Sequence, residues 1–143
     1  MTYMESSLEA ENAFYHAFES GDLEAMMSIW ADSADSKCIH PLGTVLSGLS
    51  EIRASWAEIL RAQPPRSFEI ERVSVLQTPD LAIHTVFETL ILPLQRQRFP
   101  PLLATNIYRK INGSWQMLMH HASPVGMVDS APFQAAGPAA TRH

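Results

Sequence analysis

Two stretches of this 143-residue chain carry histidines where proton transfer near neutrality is possible. The first is Lys37-Cys38-Ile39-His40-Pro41-Leu42-Gly43 and its continuation through Gly48 to Ser55-Trp56. Proline and glycine this close together predict a turn, so His40 ends a short strand. The chain then runs extended through Thr44-Val45-Leu46 to Gly48, where a helix begins. A histidine at such a strand end points into a cavity covered by the following helix, or it hydrogen-bonds a backbone group of the turn. The spacing leaves both open. The second stretch is His120-His121-Ala122-Ser123. Strand alternation, if unbroken, puts Trp115, Met117, Met119, His121 and Ser123 on one face and His120 on the other. Neutral imidazoles in these places can serve as base and acid without unusual tuning.

Other chemistries find little support. No Gly-x-Gly-x-x-Gly or Walker sequence occurs, so no nucleotide cofactor is expected. Cys38 is the single cysteine, which excludes an internal disulfide and a Cys-based zinc cluster. No histidine spacing matches a metal-ligand motif, and no metal is expected. Ser123 lacks a nucleophile elbow. Arg96 and Arg98 sit in a proline-bracketed loop, either as solvated charges or as anion ligands at a pocket rim. The net charge of −5 and pI near 5.6 disfavour a nucleic-acid or anionic-membrane binder. No apolar run approaches the ~20 residues of a membrane span. Residues Met1 to Asn12 show neither a basic region nor an apolar core, so no signal peptide is read and a cytoplasmic protein is expected.

The elements that must position the histidines follow from periodicity. Leu8, Glu11, Phe14, Tyr15 and Phe18 share a helical stripe over 5–20, closed by Gly21, with Asp22 as the next N-cap. Leu23, Met26, Met27 and Trp30 mark a second helix. Gly48 and Glu51 read as N-cap and N3 of a third, whose apolar face is Leu49, Ile52, Trp56, Ile59 and Leu60 and which Pro64-Pro65 stop. Arg53 reads as a surface charge on that helix. From Arg66 on the pattern is that of strands. Phe68 and Ile70 alternate, then the phase slips to Val73 and Val75, which predicts a β-bulge near Arg72. Thr78-Pro79-Asp80 is a turn, Leu81 to Leu92 a long strand apolar on both faces, and Leu102 to Ile111 another. Asn112-Gly113 is a hairpin signal, and Trp115 to Ser123 returns. The order predicts α+β, with helices segregated to one face of a curved sheet. A single domain over 1–125 precedes a Pro/Ala/Gly-rich tail, 126–143, expected to be mobile apart from local docking of Met127 or Phe133. The apolar outer side of Leu81–Leu92 needs cover, which predicts a homodimer pairing through the sheet.

The helix closed by Gly21-Asp22, the segment Leu23 to Ala31, Cys38-Ile39-His40-Pro41, Gly48, Ser55-Trp56, Asn112-Gly113-x-Trp115 and His120-His121-Ala122-Ser123 together resemble the SnoaL-like branch of the nuclear transport factor 2-like superfamily, over about residues 5 to 125. The resemblance implies a cone-shaped α+β fold, a bent antiparallel sheet wrapped around three N-terminal helices with a pocket at the wide end, and often a dimer. It also implies that the Trp115 side of the last strand faces inward. On that basis His121 is the expected pocket histidine, facing His40 across the cavity with Asn106 nearby. Phe14, Phe18, Trp30, Cys38 and Trp56 are expected to line the pocket.

The superfamily holds isomerases, cyclases, dehydratases and non-enzymatic binding domains, so the fold does not settle function. Against the steroid isomerase pattern, His40 stands where that enzyme has its aspartate base, Phe14 where it has a tyrosine donor, and Asn106 where it has a protonated acid. Loss of such a donor costs roughly 100- to 1000-fold in rate, which disfavours steroid isomerisation. Tyr15, one residue on, is expected to face about 100° away around the helix. Two classes remain: a cofactor-free acid–base enzyme acting on a small apolar or carbonyl-containing compound through His40, and a non-catalytic dimeric binding or scaffold domain.

Overall fold

The computed structural model describes residues 3–62 and 65–126. Pro64 of the expected helix stop and the tail from Met127 on, Phe133 included, lie outside the described residues.

Helix α1 spans Ser7–Ser20, begins at the Ser6 N-cap and ends at Gly21 in the left-handed region, φ 69°. Asp22 then caps α2, Leu23–Ile29, by accepting the Ala25 N–H. Both junctions are those the sequence predicts. Helix α3, Gly48–Arg61, differs by one residue at its start. Its cap is Ser47, whose N–H the Glu51 carboxylate takes at 2.8 Å, and Gly48 supplies a φ of +80°. Glycine is there because the chain enters the helix through a left-handed conformation.

The strands are β1 (Lys37–Ile39), β2 (Leu46–Ser47), β3 (Ser67–Gln77), β4 (Leu81–Leu92), β5 (Gln97–Arg98), β6 (Leu102–Ile111) and β7 (Ser114–Pro124). They form one sheet in the order β2-β1-β7-β6-β4-β3, with β5 on the end of β4. The four long strands are all antiparallel. The short β1 is the exception, running parallel to β7 with Cys38 opposite His120. The stretch before β1 follows β7 in the same direction, bonded at Ala31 N–H to Met117 O, and this brings the His40 turn to the end of β7.

The β3 bulge falls between Arg72 and Ser74 as predicted. A second bulge lies in β7, where Ile107 pairs with Met119 but Tyr108 pairs with Met117, leaving Leu118 unopposed. It reverses the alternation beyond it. Trp115 and Met117 are buried, and so are His120 and Ala122, while His121 is exposed. The expectation that His121 faces the interior is therefore corrected: the inner histidine is His120. Leu118 breaks the parity on which that expectation rested.

Helix α1 lies across the inner face of the sheet, as its hydrogen bonds to β3, β4 and β6 show. Phe14, Trp56, Met26, Ile52, Val86, Ala104 and Tyr108 fill the space between helices and sheet.

Candidate functional site

An apolar cavity of about 380 Å³ opens between α1, α3 and the inner face of the sheet. Its walls are Phe18, Ile59, Phe68, Leu90, Leu92, Leu102 and Ala122, its polar residues are His40, Glu88 and His120, and Arg66 is on its lining. A neighbouring recess of about 290 Å³ shares Phe68, Glu88, Leu90 and Leu102 with it and extends to Phe99, Pro100 and Pro101. Small-molecule sites commonly hold about 300–1,000 Å³, mostly apolar with a few polar groups.

Each polar residue is placed by its element. His40 follows β1 by one residue and accepts the Gly43 N–H on its carbonyl at 2.8 Å, closing the turn through Pro41 and Leu42. Its ring stands on the same side of the chain as buried Cys38. His40 Nε2 lies 2.6 Å from Ser55 Oγ and 3.5 Å from Cys38 Sγ, and the ring meets Trp56 edge-on at 5.0 Å. Burial lowers its pKa, so the imidazole is neutral at neutral pH.

Glu88 lies on β4 in phase with Ala82, His84 and Val86, the buried side of the strand, and is 3% exposed. The Tyr15 hydroxyl donates to Glu88 Oε2 at 2.5 Å, and His120 Nε2 is 3.8 Å from the same oxygen. Burial pushes the Glu88 carboxyl up to about 7, against the Tyr15 hydrogen bond and with some help from the nearby Glu11 charge.

Behind Glu88 stands a connected polar network. Glu11 Oε1 accepts from Arg72 Nε at 2.5 Å and lies 3.0 Å from His84 Nδ1, whose Nε2 is 2.9 Å from Ser7 Oγ. Glu11 Oε2 accepts from Tyr108 and from Asn106 Nδ2. Burial alone would raise the Glu11 pKa, but the hydrogen bonds from His84, Asn106 and Arg72 overcome it and hold the carboxyl at about 2. Glu11 is thus an acceptor only. Asn106 must turn its amide nitrogen toward it, which leaves Asn106 Oδ1 facing His120 Nδ1 at 2.6 Å. That oxygen accepts the Nδ1 proton, so the Nε2 lone pair of neutral His120 points toward Glu88. Burial pushes His120 down to about 3, with the neighbouring His40 and His121 adding to the shift, so the ring stays neutral. Burial also pushes the Cys38 thiol up to about 12, which keeps it protonated and unreactive.

The structure thus brings His40, Asn106 and Phe18 to one region, with Asn106 behind the cavity rather than in it. His121 is on the outside. Phe14 and Trp56 form the layer behind the cavity, touching each other edge-on at 5.6 Å and both meeting His120. Trp30 is buried at the end of α2 beside β7, and Cys38 beneath His40; neither lines the cavity, because both fill the core between β1, β7 and the helices. Arg98 pairs with exposed Glu69 and, like Arg96, does not line the cavity. Tyr15, expected to face away, reaches Glu88 because the buried side of α1 is wide enough to include both Phe14 and Tyr15. Glu88 escaped the sequence reading. Its signal was the one carboxylate of β4, in phase with His84. Among the described residues, no group of three or more His, Cys, Asp or Glu is placed to hold a metal ion. No helix there is long and apolar enough to cross a membrane.

Comparison with known proteins places this geometry. The model of a SnoaL-like domain family matches residues 8–127. A solved structure proposed to be a calcium/calmodulin-dependent protein kinase type II association domain, from Thiobacillus denitrificans, is 34% identical, with 88% of this chain and 100% of that one covered, at a TM-score of 0.83. A proposed dehydratase of the NTF2-like family from Streptomyces avermitilis is 33% identical, covering 86% of this chain and 95% of that one, at a TM-score of 0.76. Among curated proteins, the F-box protein SKIP8 of Arabidopsis thaliana is 28% identical over 116 residues, which is 81% of this chain and 48% of that protein. The chain therefore spans about half the length of that relative.

Proposed function

This chain belongs to the SnoaL-like domain family within the NTF2-like superfamily, and from that premise we propose that it binds a small, mostly apolar molecule and performs cofactor-free acid–base chemistry on it. Glu88 and His40 are the proton-transferring groups, and His120 is a fixed acceptor that orients the ligand. The observation that carries this reading is the buried Glu88 carboxyl on the cavity wall, tuned to about 7. A group that titrates near the working pH is the most effective proton donor and acceptor. His120, held near 3, is too weak a base for that role but well suited to receive a hydroxyl hydrogen bond at Nε2. Isomerisation, cyclisation and loss of water next to a carbonyl all need such a pair, and the similarity to a proposed dehydratase favours the last.

A second reading is a dimeric, non-catalytic ligand-binding or scaffold domain. The similarity to a proposed association domain favours it. On the outer sheet face Leu76, Ile83, Ile107 and Met119 stand side by side across four strands. The dimer, through that face, is part of both readings. So is residence in the cytoplasm, which suits the free, buried Cys38.

The test is turnover and ligand-induced thermal shift of the parent, His40→Ala and Glu88→Gln against a panel of enones, epoxides and β-hydroxy carbonyl compounds. Catalysis predicts that each substitution lowers turnover by roughly 100-fold or more while the fold is kept. A pure binder predicts no turnover by the parent and a loss of about 1 to 3 kcal/mol in affinity.

A further inference from the structure

We propose that the cavity takes an amphipathic anion, an apolar body carrying a carboxylate, and that Arg66 is the residue that recognises the carboxylate. The inference rests on the small-molecule reading above and adds the class of ligand.

Most of the arginines seen in detail already have an anionic partner. Arg53 pairs with Glu24, Arg61 with Glu58, Arg72 with Glu11 and Arg98 with Glu69. Arg66 lines the cavity and is half-buried, yet among the described residues it has no carboxylate partner. Its Nη2 donates to the Ala62 carbonyl at 2.8 Å, and its guanidinium carbon stands 5.9 Å from the centre of the Phe18 ring. These two contacts fix the guanidinium at the end of α3, against a cavity wall. They use one donor of the five that the group carries.

Burial lowers the pKa of Arg66, so an anion beside it removes a cost that burial imposes. Planar, forked guanidinium geometry fits a carboxylate through two parallel hydrogen bonds better than it fits a hydroxyl or a carbonyl. The other walls are hydrocarbon: Ile59, Leu90, Leu92 and Leu102 offer nothing to a second charge. A ligand anchored at Arg66 therefore extends its apolar body along these walls, with Glu88 and His120 left for whatever neutral polar group it carries. Arg96 and Arg98, the loop arginines singled out from sequence, cannot play this part: neither lines the cavity, and Arg98 is occupied by Glu69.

The experiment uses octanoate and 1-octanol, which share a chain and differ in the head group. Calorimetric titration is run at about pH 6, above the ordinary carboxyl range and below the value near 7 at which Glu88 titrates. The parent is expected to bind octanoate about tenfold or more tightly than octanol. In Arg66→Gln that preference disappears with octanol affinity unchanged, and Arg66→Lys retains part of it. Equal binding of octanoate and octanol by the parent, or an octanoate affinity untouched by Arg66→Gln, overturns the anion inference and leaves the apolar cavity standing as a site. Binding of neither compound overturns both readings.

Discussion

Glu11 and Glu88 are both buried carboxylates, linked to each other through Asn106 and Tyr15, and their surroundings drive them apart. Glu11 is surrounded by donors and held at about 2; Glu88 accepts from Tyr15 and rises to about 7. The first is structural. Glu11→Gln leaves Arg72 facing a neutral amide in a part-buried place, and we expect it to destabilise the fold by about 3 to 5 kcal/mol in urea titration. The second carries a cost to stability. Between the ordinary value of 4.5 and about 7 the unfolded chain has ionised at this position while the folded chain still holds the proton, so stability falls as pH rises through that window. Glu88→Gln removes the cost. It is expected to raise stability by about 3 kcal/mol at pH 8 or so, and by little at about pH 4. An equal change at both pH values would show that Glu88 is not the perturbed acid, and the acid–base reading would lose its main support.

At the scale of the elements, the turn after β1 holds a non-glycine residue in a left-handed conformation. Leu42 has φ 63° and is 93% exposed. A left-handed conformation costs an ordinary residue about 1–2 kcal/mol, partly offset by the greater unfolded-state entropy of glycine. Leu42→Gly should therefore stabilise the protein by up to about 1 kcal/mol in thermal unfolding without moving His40; no change, or a loss, would mean that Leu42 contributes contacts outside its own turn. The two bulges show what an element reveals about itself. In β3 the alternation of Phe68 and Ile70 against Glu69 and Glu71 is clean, so the slip at Val73 could be seen in the sequence. In β7, Ser114, Trp115, Gln116 and Met117 are all buried and Leu118 and Met119 are half-buried. Ser114 and Gln116 alternate with Trp115 and Met117, but Leu118 and Met119 are both apolar, so the extra residue at Leu118 left no trace, and with it went the choice between His120 and His121.

For the molecule as a whole, four groups with shifted pKa values, Glu11, His40, His120 and Glu88, shape the pH profile of stability. Glu11 adds stability as pH rises from about 2 to 4.5. His120, neutral when folded and protonated when unfolded below its ordinary 6.5, adds stability from about 3 to 6.5. Glu88 removes it from 4.5 to about 7. His40, lowered by burial, adds stability as pH rises toward 6.5. The combination climbs steeply to about pH 4.5, then flattens as the loss from Glu88 opposes the gains from His120 and His40, and dips beyond about 6.5. Chemical denaturation across this range checks the shape, and a slope between about pH 5 and 6.5 that Glu88→Gln leaves unchanged would contradict the opposition. The proposed dimer belongs to this scale as well. Leu76, 65% exposed on β3, stands beside Ile83, Ile107 and Met119 on the outer face. Light scattering at micromolar concentration should report twice the chain mass, and Ile107→Lys should give monomers; a monomeric parent would remove the proposal.

Periodicity, caps and turn residues in the sequence determined the three helices, the four long strands, the first bulge and the hairpin, because each is a local pattern of burial and backbone preference. His40 was legible for the same reason, since Pro-x-Gly after it predicts a turn that ends the preceding strand. Asn106 was legible by resemblance, though as a residue of the pocket rather than as the support of His120. What only the tertiary structure decided is which side chains from different elements meet. Tyr15 touches Glu88 across 73 residues, and Asn106 touches Glu11 across 95. Locally, Glu88 is marked only as the lone carboxylate of β4, in phase with His84, which does not show what it meets. Its tuning, and the lone pair that Asn106 turns out of His120, come from α1 lying across β4 and β6, where burial and long-range hydrogen bonds set the charges.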